Sequence, residues 1–151
     1  MNFYLFRKII LFFRKNSQVS LIKDLEKEHK ELVKLYQQIE TKFNKRNIED
    51  VIKLLNKFFY KYKKHVLFED NYLYDKLIKK YDGYESILNF INETKEKMNK
   101  ITKMLEKFLL IYSTKETIKN KKNEFFHDYK KLGKALKERI EFEETKLYVL
   151  Y

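Results

Sequence analysis

The stretch Lys64-His65-Val66-Leu67-Phe68-Glu69-Asp70-Asn71-Tyr72-Leu73-Tyr74 decides the fold, because it returns near the C-terminus as Glu138-Arg139-Ile140-Glu141-Phe142-Glu143-Glu144-Thr145-Lys146-Leu147-Tyr148. Aligned, His65 falls on Arg139, Phe68 on Phe142, Glu69 on Glu143, Leu73 on Leu147 and Tyr74 on Tyr148. Residues four apart share one face of a helix. Each segment therefore reads as a helix that aims a polar pair at one side. The second copy keeps the Glu and exchanges the His for Arg.

Composition supports helices throughout. The 151-residue chain is the size of a single domain with a real core. It contains no Pro and only two Gly, Gly83 and Gly133, so hairpins and sandwiches lack their punctuation. Charged residues make up 37% and Cys is absent, which excludes disulfides, thiolate ligands and thiol catalysis. The compartment stays open, with the cytoplasm as default. A net charge of +12 is compatible with nucleic acid, an anionic membrane or an acidic protein. Nucleic acid is disfavoured, since the lysines spread over solvent faces and no recognition motif is present.

Residues 1–17 form a basic, aromatic N-terminal extension, distinct from a bundle domain at 18–151. The apolar runs around Arg7 and Lys8 are shorter than the ~20 residues that span a bilayer. They also lack a signal-peptide cleavage site. A short helix of this kind suits a membrane surface (the inner face, for a peripheral protein), the flank of a bundle or a dimer contact. Ser17 and Ser20 offer caps for the first bundle helix.

Four amphipathic stretches follow, at about 20–44, from Asn47 and Asp50 to the Asp82-Gly83 turn, at about 85–112 and at about 124–150. Residues 113–123 form the longest connection, with room for a helical turn. Short links between long helices predict an up-down-up-down, all-α four-helix bundle with a short N-terminal helical extension. Tyr36, Phe58, Tyr62, Tyr72, Phe108 and Tyr129 read as core aromatics, and His127 lies off the stripe.

The stripes are apolar except at His29, at His65 with Glu69, at Thr94, and at Arg139 with Glu143. At about 1.5 Å of rise per residue, all six meet in one layer near the middle of the bundle. Buried charge must be paired or bound to metal. His29, His65 and Glu69 make a two-His, one-carboxylate set suited to non-haem iron, and Glu143 can reach from the opposite side. The alternative is a metal-free layer in which Arg139, which cannot act as a ligand, pairs with Glu143 and Glu69. Glu28, Glu141 and Glu144 flank the layer, with Glu144 the best-placed supporting carboxylate. Tyr36 and Tyr62 each lie about a turn from a candidate ligand.

Glu28-His29-Lys30-Glu31-Leu32, His65-x-x-x-Glu69 with Tyr72-Leu73-Tyr74, and Arg139-Ile140-Glu141-Phe142-Glu143-Glu144 with Leu147-Tyr148 together resemble the hemerythrin-like HHE cation-binding family over about residues 20–151. The resemblance implies a four-helix bundle holding a di-iron centre that binds or senses oxygen, nitric oxide or iron. Carried over, it implies His29, His65, Glu69 and Glu143 as ligands. The family has His where this chain has Thr94 and Arg139, so half of the site is complete and the other half keeps only its carboxylate. A mononuclear, a mixed and a vestigial site all follow from that pattern. Gly133-x-Ala135-Leu136-x-x-Arg139-x-x-x-Glu143 is in turn similar to a helix of the regulator of sigma D anti-sigma family. It implies a protein-interaction bundle directed at a transcription factor. The expectation is a binding or sensing protein with a depleted iron site, not an enzyme.

Overall fold

The computed structural model describes residues 3–151, with side chains from Ser20 onward. Its elements are α1 (Phe3–Asn44), α2 (Ile48–Phe68), a π-helical segment (Glu69–Tyr74), α3 (Asp75–Lys80), α4 (Glu85–Ile111), α5 (Lys115–Asn120), α6 (Lys122–Phe142), a second π segment (Glu143–Leu147) and a closing 3-10 turn (Tyr148–Leu150). No strand occurs among the described residues, so the chain is all-α as its composition predicts. Among them, no helix is long and apolar enough to cross a membrane.

Four rods result: α1, α2 continued through its π segment into α3, α4, and α6 with its π and 3-10 tail. Their alternation in direction is fixed by contacts at the two ends. At one end, Glu49 at the start of α2 pairs with Lys115, just past the end of α4, at 2.5 Å. At the other end, Lys80 Nζ at the close of α3 donates to the Leu150 carbonyl at 2.8 Å.

The first link is tight and well capped. Asn47 Oδ1 accepts from the Asp50 amide at 3.1 Å, as the sequence predicts for the start of α2. Arg46 closes α1 in the left-handed region, with φ 59°. The Asn47 amide donates to Lys42 O and the Arg46 amide to Phe43 O, the pair of hydrogen bonds that ends many helices on Gly. A residue with a Cβ pays about 1–2 kcal/mol for that conformation. Gly83, at φ 85°, makes the second turn without that cost. In the third connection, Thr114 Oγ1 caps α5, whose Ile118 is buried, so the 113–123 connection contains more than one helical turn.

Two expectations need correction. Helix α1 runs unbroken through Ser17 and Ser20, because no Gly or Pro stops it and one Ser in a helix costs only a few tenths of a kcal/mol. The side chains of residues 1–17, and with them the expected membrane-surface contact, lie outside the described residues. Tyr72 is 52% exposed and is not a core residue. The π segment holds more residues per turn than an α-helix, so after Glu69 the buried face passes to Leu73 and Tyr74 rather than Tyr72.

The core has two apolar halves. One, towards the first link, includes Leu32, Ile39, Val51, Phe58, Tyr62, Phe125 and Leu136. The other includes Leu25, Leu73, Leu77, Ile91, Met98 and Leu147. Between them lie His29, His65, Glu69, Thr94, Arg139 and Glu143, all buried, in the one layer that their spacing predicts.

Candidate metal centre

Each candidate ligand is delivered by a helix whose apolar neighbours, one turn above and below, lock its height. His29 sits between Leu25 and Leu32, and Arg139 with Glu143 between Leu136 and Leu147. Both π segments begin at a candidate carboxylate, Glu69 and Glu143. Single π turns concentrate at functional sites because they re-aim side chains that an α-helix would send elsewhere. Here they follow His65/Glu69 and Arg139/Glu143 and return the two Leu-Tyr pairs to the core.

The structure brings His29, His65, Glu69 and Glu143 together, with one potential ligand atom from each inside a mutual distance of 4.8 Å. The two imidazoles point Nε2 at the centre, 3.0 Å apart. Their Nδ1 atoms face outward, His29 to Glu144 Oε1 at 2.8 Å and His65 to Glu28 Oε2 at 2.8 Å. A carboxylate on Nδ1 fixes the tautomer that leaves Nε2 free for a metal. Glu143 Oε2 lies 3.1 Å from His29 Nε2, but its alignment makes no hydrogen bond, and it is a buried oxygen without a partner. The residues thus fit a cation: two oriented imidazoles, two carboxylates and an unpartnered oxygen converge on one point.

Arg139 occupies the other half of the layer. Its Nε donates to Glu143 Oε1 at 2.7 Å, one Nη to Glu69 Oε2 at 3.0 Å and the other Nη to the Tyr62 hydroxyl. The guanidinium lies over the Tyr62 ring, 5.2 Å from its centroid. Tyr62 also bonds Thr102 Oγ1 at 3.1 Å, so the tyrosine that meets the arginine is itself anchored to α4. Thr94 is buried in the layer, yet its hydroxyl donates to Phe90 O of its own helix at 2.8 Å. Tyr36 stands apart from the ligand atoms. It stacks on Tyr129 at 4.3 Å and donates to the Tyr129 carbonyl at 3.1 Å, while Tyr129 donates to the Tyr36 carbonyl.

Two participants are absent from the set read off the sequence. Glu28 precedes His29 by one residue and so points off its stripe, where it reaches across to His65 rather than away. Tyr148 stacks on His29 at 5.7 Å and donates to Glu69 Oε1 at 2.8 Å. Its signal was the Leu-Tyr pair shared by both segments of the repeat.

Electrostatics divide the two carboxylates. Burial, and then the charge of Glu143, push Glu69 up to about 8. Burial also acts on Glu143, but the Arg139 charge and the His29 contact outweigh it and hold its carboxyl low. For His29, burial is outweighed by the close approach and charge of the Glu143 carboxylate, so its pKa is raised. For His65, burial dominates over the bond to Glu28 and lowers it. Glu69 and His29 thus both bind a proton more tightly than usual, at atoms that are also candidate metal ligands. A cleft of about 530 Å³ between α1, α2 and α6 reaches His29, Arg139 and Glu143. Another of about 340 Å³, between α4 and α6, reaches Thr94, Arg139 and Glu143.

No curated protein and no solved structure matches the chain. The family model of the hemerythrin HHE cation binding domain does, over residues 20–151, which include every residue of the polar layer. The chain belongs to the hemerythrin HHE cation-binding domain family.

Proposed function

We propose that this bundle holds a single divalent metal ion, iron, on His29, His65, Glu69 and Glu143, and serves as a binding or sensing protein. The carrying observation is the guanidinium of Arg139, bonded to both Glu69 and Glu143, which supplies a fixed positive charge to both carboxylates. Arginine cannot yield that place by losing its proton. One position is thus filled by a fixed charge, and one retains four potential ligands, among them Glu143 with its unpartnered oxygen. Bound ferrous iron would supply an open coordination position for a small ligand such as oxygen or nitric oxide. Glu28 and Glu144 orient the two imidazoles, Tyr148 and Arg139 hold Glu69, and the two clefts offer a small molecule a way in.

Metal analysis of protein purified without oxygen tests this reading. One iron per chain and a melting temperature raised by ferrous iron are expected, both lost in His65→Ala. No retained metal, with melting unchanged by ferrous iron, would sink it.

One observation favours a second reading. Arg139, Glu69, Glu143, Tyr62 and Tyr148 already bond one another, so the charges of Arg139, Glu69 and Glu143 are paired without a metal. On that reading the bundle is a protein-interaction module, such as an anti-sigma-like regulator, and partner capture would be indifferent to His65→Ala.

A further inference from the structure

A third cleft, of about 680 Å³, lies at the end of the first apolar half away from the polar layer, between the α1–α2 link and the α5–α6 junction. Three cations line it, Arg46, Lys119 and Lys122, and no carboxylate does. Their neighbours are neutralised: Lys42 pairs with Asp50 at 2.7 Å and Lys115 with Glu49 at 2.5 Å. Arg46, Lys119 and Lys122 have no ion pair among the described residues. The amides of Asn44 and Asn123 stand beside them. The floor is apolar and partly open, made by Ile48 and by the parallel rings of Phe43 and Phe126, 5.7 Å apart and 8° from coplanar.

Arg46 supplies an independent indication. It holds the left-handed position that closes α1, where Gly would fit without strain. Keeping a strained, exposed arginine there is explained if its side chain is used. Unpaired guanidinium and ammonium groups recognise phosphate. An aromatic, apolar floor takes a flat ring, and asparagine amides match the donor and acceptor edge of a base. A volume of this size suits one small organic ligand.

We propose that this cleft binds a nucleotide, with its phosphates at Arg46, Lys119 and Lys122 and its base against Phe43, Phe126 and Ile48. The site is separate from the metal centre and does not depend on it.

Calorimetric titration of the full chain with ATP, in buffer containing EDTA, tests the proposal. Saturable one-to-one binding is expected, weakened about tenfold or more by Arg46→Gly and by Lys122→Glu. Arg46→Gly relieves backbone strain, so its melting temperature should equal or exceed that of the parent. Lys134→Glu, elsewhere on α6, changes net charge as much as Lys122→Glu and should alter binding less than about twofold. Adenosine and tripolyphosphate should each bind at least about tenfold more weakly than ATP, since each lacks one of the two recognised parts. The proposal is overturned by absence of saturation, by equal affinity for tripolyphosphate, or by equal loss in Lys134→Glu. A single-stranded oligonucleotide that binds far more tightly than ATP with the same Lys122 dependence would also overturn it, in favour of a polymer.

Discussion

Arg139 is buried against two carboxylates, and its removal and its replacement by a ligand test different things. Arg139→Met leaves Glu69 and Glu143 facing each other without a cation, and should cost the metal-free protein about 3–5 kcal/mol in chemical denaturation. Arg139→His together with Thr94→His rebuilds the missing half of the ligand set. That double variant is expected to hold two metal ions per chain where the parent holds one. The protonation pattern gives a further test. Glu69 carries a folded-state pKa of about 8, above the ordinary carboxylate value of 4.5, so the stability it contributes is present in acid and lost as pH rises through that window. His29, also raised, acts in the same direction above 6.5, while His65, lowered, opposes it in acid. Metal-free protein should therefore melt at lower temperature at pH 8 than at pH 6. Metal binding displaces the same protons, so the stabilisation gained on adding metal should grow over that interval. Glu28→Ala and Glu144→Ala should each weaken metal binding by roughly 10–100-fold by freeing an imidazole to turn. The six layer residues were legible in the sequence because each interrupts an apolar stripe. Glu28 was legible only as a flanking carboxylate and Tyr148 only as half of the repeated Leu-Tyr pair, since a residue off the stripe shows its reach only when the neighbouring helix is in place.

At the scale of elements, helical periodicity gave the four rods and their links, and it failed where the period itself changes. A 3.6-residue repeat keeps Tyr72 on the buried face, whereas the π turn at Glu69–Tyr74 turns it outward and buries Tyr74. Deleting Asn71 removes the extra residue, so an ordinary α-turn places Leu73 and Tyr74 three and four residues after Glu69, still facing the core, and the variant should keep a cooperative melt close to that of the parent. The α1–α6 contact is also specific. A Cβ on Gly133 would come well inside van der Waals contact with the Tyr36 hydroxyl oxygen and its Cζ, so the hydroxyl end of Tyr36, stacked on Tyr129, would have to move. Gly133→Ala should cost about 1–3 kcal/mol, and Tyr36→Leu in the same chain should recover part of it. Gly133 thus has a packing role, which accounts for one residue of the resemblance to the anti-sigma helix. The start of α1 was misjudged for the opposite reason: two serines suggested a cap, but nothing compelled the helix to stop.

Taken whole, the molecule is two apolar cores joined through a polar layer whose charges are nearly balanced by its own residues. Such a layer makes the midpoint of the bundle its most costly place to ionise, and the place where a bound cation would gain most from burial of its ligands. One fixed guanidinium and one four-residue ligand set leave room for a single ion. The most direct test is metal content: titration of metal-free protein with ferrous iron under anaerobic conditions, followed by elemental analysis after desalting. One iron per chain, abolished by His65→Ala and raised to two by the Arg139→His, Thr94→His pair, is the expected result. An iron content indistinguishable between parent and His65→Ala protein would contradict the account.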